Sequence, residues 1–308
     1  MNRIELFRHW WRETFRRDNV QNRVDNLVQE GRSTLSRAVS AGVRAFLVMF
    51  MVATPSVLLP GMGPDGKQMV ALISLFAGAL TFIEYSATYP GLVEFRDAPP
   101  FNRIRFSILF MTVFMLTIIE KSQFDPNALA VLVRAVGELI GRAMDFPYSP
   151  VRLATLMMAA TSSEEQISAV RTAAGMAYLI SLIGLAVFVV LLKIYEWPTR
   201  WGAFNVWVNM PTFDPTSGGD VVRRLERDAR VNVVLGFVLP FVFPAVVRLG
   251  SSGFEPLTLT SPQTLIWVMT LWAFLPASLF MRGIAMGKIA EMIREKRRIS
   301  GAMGLAAA

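Results

Sequence analysis

The stretch TAAGMAYLISLIGLAVFVVLL, Thr172 to Leu192, runs for 21 residues without a charge between Arg171 and Lys193. About 20 apolar residues in helical geometry cross roughly 30 Å of hydrocarbon, so this segment alone predicts a membrane-spanning helix. Outward from it lie five more charge-free runs: Ala45 to Pro60, Gln68 to Ile83, Phe106 to Ile119, Val231 to Val247 and Ser261 to Met281. Phe106 to Ile119 is the shortest at 14 residues, and it borrows flanking turns whose Arg103 and Arg105 snorkel to the headgroups. The fold class that follows is all-α: a polytopic transmembrane helical bundle of six predicted spans with amphipathic surface helices.

Composition points the same way. Of 308 residues, 53% are apolar, above the share of about 45–50% that soluble domains carry. The division that follows is a cytoplasmic amphipathic segment (1–44), a six-span membrane domain (45–281) and a basic cytoplasmic tail (282–308). Within the membrane domain lie an outer helical insertion (120–171) and two cytoplasmic loops (84–105 and 193–230).

The runs separate unequal charges. With the N-terminus inside, 24 of the 31 lysines and arginines fall on the inner side and seven on the outer. Basic residues are retained in the cytoplasm, so this split predicts both termini inside. No secretory signal is expected, since the first apolar run begins after more than 40 residues. Five carboxylates interrupt the N-terminal segment, which argues against a mitochondrial presequence. The expected location is a bacterial inner membrane. The net charge of +8 is read as orientation and attraction to anionic headgroups, not as a nucleic-acid footprint.

Some chemistry is excluded by residue type. The chain has no cysteine and one histidine, His9, so disulfides, thiolate nucleophiles, iron–sulfur clusters and bis-histidine sites within one chain are ruled out. No cofactor or metal is expected, and no catalytic residue is assigned.

The surface elements are more elaborate than the spans. Ile4, Phe7, Trp11 and Phe15 recur at helical spacing with Arg8, Arg12 and Arg16 on another face, predicting an in-plane interfacial helix. In the outer insertion, Asp125-Pro126 reads as a helix start. Arg134, Glu138 and Arg142 step along one stripe with Asp145 a turn on, and Leu129, Leu132, Val136, Leu139 and Ile140 face away. Gly137 and Gly141 form a GxxxG, read as weak outside a true span. Val151 to Thr161 is too short to cross and predicts a re-entrant or surface helix. Ser162 with Glu165, or Ser163 with Gln166, has capping-box spacing at the start of the fourth span.

The two inner loops concentrate aromatic and charged side chains. The first holds Glu84, Tyr85, Glu94, Arg96, Asp97, Asn102 and Arg103; the second holds Trp197, Trp201 and Trp207. An interfacial aromatic belt is the default explanation, and a docking surface the alternative. Glu84 is expected to form an interfacial salt bridge with Arg44 or Lys193.

No ionisable residue lies inside any of the six runs, whereas carriers and intramembrane enzymes place charges at mid-depth for use. The leading functional expectation is therefore an accessory, assembly or scaffold component of a membrane complex, with a membrane-protein partner or a homo-oligomer. The alternative is a channel or transporter for a neutral or apolar solute, its path along spans five and six, where Pro240, Pro244 and Pro276 free backbone carbonyls. A third reading, an interface enzyme, rests on Glu84, Glu94, Arg96, Asp97, Asn102 and Arg103, the one dense polar set.

Overall fold

The computed structural model describes residues 35–158, 161–198, 204–214, 218–250, 259 and 261–306. The predicted N-terminal interfacial helix and Trp201 lie outside them. Among the described residues the structure is all-helical, with no strand. In chain order the helices are α1 (Leu35–Leu58), α2 (Pro64–Ser86), α3 (Phe101–Lys121), α4 (Ala128–Met144), α5 (Pro150–Thr155), α6 (Glu164–Ile194), α7 (Val206–Asn209), α8 (Val221–Gly250) and α9 (Pro262–Ala306).

Five of these, α1, α2, α6, α8 and α9, are long and apolar enough to cross a membrane. The remaining predicted run forms α3, which carries Arg103 and Arg105 near its start and Glu120 and Lys121 at its end. It lies centrally, packed on α4, α6 and α9. α9 runs unbroken from Pro262 through Ala306, so the last apolar run and the basic residues after Met281 share one helix.

Two apolar cores occupy the two ends of the bundle. One, around Leu116, Val170, Ala174, Ile266, Met269 and Trp272, lies toward α4 and α5. The other gathers Phe95, Phe101, Phe188, Trp197, Phe213, Met281 and Ile289 from the inter-helix loops and the adjoining helix ends. We call this second end the loop end.

Between helices in lipid the hydrophobic drive is absent, and close backbone approach takes its place. A Cβ on Gly175 of α6 would sit 2.6 Å from the Gly141 Cα of α4, and one on Gly283 of α9 would sit 2.7 Å from the Ala229 carbonyl oxygen of α8. The Gly137/Gly141 pair, weak as a sequence signal, is thus the contact face of α4. Its effect depends on Gly175 opposite. The apolar side of α4 that includes Leu129, Leu132, Val136 and Leu139 stays exposed.

One carbonyl freed by a proline of α8 is taken up by a neighbouring helix. Pro244 has no N–H to offer the carbonyl one turn back, at Pro240. The buried indole Nε1 of Trp272 on α9 donates to that carbonyl at 3.1 Å. Threonine and serine hydroxyls in the helices mostly bond their own backbone, as at Thr54, Ser74, Thr81, Thr112 and Thr117.

Several local expectations are refined. Ser163 and Gln166 form the capping box of α6 with both reciprocal bonds present. The start of α4 lies two residues beyond Asp125: Asn127 is the N-cap, accepting from the Ala130 amide, while Asp125 pairs with Lys121 at 3.5 Å. The Arg134–Glu138 pair forms at 3.0 Å. Asp145 leaves the α4 stripe and holds Arg152 at 2.6 Å and Arg171 at 2.7 Å, clamping the α4 end to α5 and α6. Among the described residues of the 151–161 stretch, 151–155 belong to a helix, α5, with Val151 and Ala154 fully buried.

We expect Gly175→Ala to lower the melting temperature in mild detergent, corresponding to about 1–3 kcal/mol, because its Cβ meets backbone that cannot rotate away. Gly287→Ala on α9, with nothing within 4 Å of its would-be Cβ, should leave it unchanged or slightly raised.

Candidate functional site

Four separate segments converge on one carboxylate at the loop end. Glu94, between α2 and α3, receives Nε of Arg282 at 2.6 Å and Nη2 at 2.8 Å, a two-pronged pair with α9. The Thr212 hydroxyl donates to the same carboxylate at 2.5 Å. Arg282 also donates through Nη1 to the Asn232 side-chain oxygen on α8 at 3.1 Å, and Asn232 in turn donates to the Asp228 carbonyl at 2.7 Å. The Glu94 side chain is 11% exposed.

The backbone around Glu94 is held as firmly. The Asn102 side chain donates to the Glu94 carbonyl at 2.7 Å. The Phe95 amide donates to the Asn209 carbonyl at 2.6 Å, and the Asp97 amide to the Asn209 side chain at 3.0 Å. Phe95 itself has φ of 53°, a left-handed conformation that costs an L-residue about 1–2 kcal/mol. Burial of its ring against Phe101, at 4.3 Å between centroids, and Trp197, at 6.0 Å, offsets that cost.

Glu84 does something other than the expected salt bridge with Arg44 or Lys193. The chain after α2 turns back over the helix end, so that the Glu84 carboxylate accepts the amides of Gly91, Leu92 and Val93 at 2.9–3.2 Å. Arg96 completes the cap from the other side, donating to the carbonyls of Glu84, Ala87 and Thr88 at the α2 C-terminus. The carbonyls of Glu84 and the C-cap Ala87 are among those that a helix leaves unpaired at its end. The Arg96 side chain is 7% exposed and pairs with Asp97 at 3.2 Å. Arg44 instead lies over the Tyr85 ring, 4.6 Å from its centroid.

Of the sequence-nominated residues, the fold therefore brings Glu84, Glu94, Arg96, Asp97 and Asn102 into one interlocked loop. Arg103 lies exposed beside it. Trp197 is buried at 4% exposure in the loop-end core, so it belongs neither to an interfacial belt nor to a docking surface. Trp207 sits in α7. Pro240 and Pro244 lie on α8, away from this cluster, in the α8–α9 contact. The residues that sequence reasoning missed are Arg282, Thr212, Asn232 and Asn209. Arg282 had been visible only as the first charge after the last run.

Beside the knot lies a cleft of about 790 Å³ between α1, the end of α2 and the start of α3. Arg44, Arg96 and Arg103 line it against one carboxylate, Asp97, and Val43, Leu47, Val48 and Phe106 form its apolar wall. Arg105 points elsewhere, with its guanidinium 5.4 Å from the Phe101 ring and 5.9 Å from that of Phe274.

Chemically, the Glu84 and Glu94 carboxylates are saturated with donors. That occupancy suits them to holding loops in place more than to moving protons. Among the described residues no group of three or more histidine, aspartate or glutamate side chains is arranged to hold a metal. The chain matches no known protein family, no curated protein and no solved structure.

Burial opposes ionisation of Glu94, but the Arg282 and Thr212 hydrogen bonds and the Arg282 charge outweigh it and hold the carboxyl below its ordinary value. A lowered folded pKa stabilises fully above the unfolded carboxylate pKa, about 4.3, and that stabilisation is lost as pH falls through the folded value. Melting curves from pH 7 down to 3 should thus show an acid-side loss of stability that is smaller in Glu94→Gln. Glu94→Ala, which strands Arg282, should cost about 2–3 kcal/mol at pH 7, since removing one partner leaves the other charge uncompensated.

Proposed function

We propose that this chain is a six-span, non-enzymatic membrane protein that serves as an accessory or scaffold component of a larger membrane assembly. In this reading it resides in a bacterial inner membrane with both termini in the cytoplasm. The loop end then faces the cytoplasm, in line with the 24 to seven division of its basic residues. α3 serves as the additional span, its charge-free middle packed between its neighbours and its arginines at headgroup level.

The observation that carries the scaffold role is the α1–α2 hairpin. Over its 23 residues α2 buries only Ser74 and Gly78. Its contact with α1 is close at one point, where a Cβ on Gly78 would meet Met49. Leu72, Ile73, Leu75, Phe76 and Ile83 remain more than half exposed. Within this arm α1 packs on α3 through Phe50 and Phe110 and buries Ala41, Ala45 and Thr54, so α2 is its outer helix and offers a wide apolar face to the helices of another protein, where van der Waals packing supplies the association.

This moves the expected partner surface away from the aromatic loops. Phe95, Trp197 and Phe213 are buried in the chain's own core, and Arg96 caps a helix. The solute-path alternative gains no support from α8 and α9, because the carbonyl that Pro244 frees is taken up by Trp272.

Photo-crosslinking in native membranes tests the reading. A crosslinker at Leu72 or Phe76 should yield a discrete adduct with another protein chain, and one at buried Leu116 should not. Adducts with lipid alone from both α2 positions, together with a monomer in mild-detergent pull-downs, would overturn it.

A further inference from the structure

The cleft between α1 and α3 has the composition of a lipid-headgroup site, and its depth fits one. The charge-free run of α1 begins at Ala45 and that of α3 at Phe106, while the run of α2 ends at Ile83. Arg44 and Arg103 therefore stand at the boundary where hydrocarbon gives way to headgroups. Leu47, Val48 and Phe106 begin the acyl level directly beside them. A single cleft thus offers cations at one depth and apolar wall at the next.

Its charge is unbalanced. Three arginines line it against Asp97 alone, and Asp97 is already paired with Arg96 at 3.2 Å. Arg44 is oriented by its bonds to Ser40 and by the Tyr85 ring, with no carboxylate partner among the described residues. Arg103 is exposed at the rim, and its side chain forms no ion pair among the described residues. Guanidinium groups recognise phosphate through paired N–H donors, and partial desolvation at the headgroup level strengthens that contact.

We propose that this cleft is a specific site for an anionic glycerophospholipid. The phosphate lies between Arg44 and Arg103, and an acyl chain runs along Val43, Leu47, Val48 and Phe106. The inference needs the membrane placement of α1 to α3 but not the scaffold role, so either can fail without the other. Residues 1–34 are a poorer occupant on charge grounds, since they carry seven arginines against five carboxylates and would bring cations to a cationic cleft.

Because the chain has no cysteine, a single Ser107→Cys places a bimane fluorophore on the cleft wall of the full-length protein. In nonionic detergent we expect phosphatidylglycerol with brominated acyl chains to quench it at a tenfold or lower mole fraction than brominated phosphatidylcholine. The Arg44→Gln/Arg103→Gln double variant should lose that preference while keeping its melting temperature. The Arg294→Gln/Arg298→Gln variant, which removes the same charge from the far part of α9, should retain it. Native mass spectrometry of the unlabelled chain repeats the comparison with no probe in the cleft, and should show phosphatidylglycerol retained over phosphatidylcholine.

Equal quenching by the two lipids would overturn the proposal by reducing the cleft to an apolar slot. Equal loss of preference in the α9 variant would overturn it by assigning the effect to general surface charge. Displacement of the lipid by millimolar inorganic phosphate at constant ionic strength would reassign the site to free phosphate.

Discussion

The ion pair between Glu94 and Arg282 is the constraint on which the loop end depends. Arg282 is the first charge after a long apolar stretch of α9, and Glu94 lies in a loop 188 positions earlier. Joining them fixes the height of that loop against the bundle. Thr212 and Asn232 bring the α7–α8 connection and α8 itself to the same point. With these segments pinned, the aromatic side chains between them have somewhere to pack, and Phe95, Trp197 and Phe213 become core. Without the pair, each loop would have to find its own place at a polar interface, where apolar burial alone sets no register.

The bundle's interior follows a different logic. Helices in lipid gain little from hiding leucine, so association rests on steric fit and on satisfying stray polar groups. Gly141 against Gly175 gives the fit between α4 and α6, and Gly283 against the Ala229 carbonyl gives it between α9 and α8. The Trp272 indole on the Pro240 carbonyl supplies the polar tie. The proline-containing helix thus carries no loose carbonyl at Pro240. Beyond the apolar part, Arg297 with Asp220 and Arg294 with Glu226 continue the α8–α9 pairing through charge.

What could be read beforehand depended on whether the signal was local. Run length and flanking charge are local, so α1, α2, α6, α8 and the apolar part of α9 were legible, as was the Ser163–Gln166 box. The α4 start was misplaced because Asp125-Pro126 and Asn127 offer competing caps two residues apart, and the side chain that reaches the Ala130 amide decides. Glu84 looked like half of a salt bridge because Arg44 and Lys193 also stand at the ends of apolar runs; its actual partners are backbone amides supplied by a loop that folds back. The aromatic loops looked like surface because tryptophan near a span end usually is. The long-range Glu94–Arg282 contact gives Phe95, Trp197 and Phe213 an interior to enter, and no spacing rule joins residues so far apart.

The distribution of commitment within the fold narrows what the molecule does. Charged groups at the loop end that would attract attention as catalytic, Glu84, Glu94 and Arg96, are consumed in holding that end together, and the spans have no charge to offer a passing ion. Much of what stays open is peripheral: the face of α2, the outward side of α4, and the two arginines at the α1–α3 cleft; Glu120, buried at the end of α3, is held by Gln123 at 3.2 Å and by no cation among the described residues. Under the proposed reading, such a protein works through what it holds beside it, lipid in the cleft and helices on the arm. The cleft sits where that arm meets the body, bounded by α1 on one side and α3 on the other. A lipid bound there would extend the contact that α1 already makes with α3 through Phe50 and Phe110, so occupancy of the cleft and presentation of the α2 face would be coupled through α1.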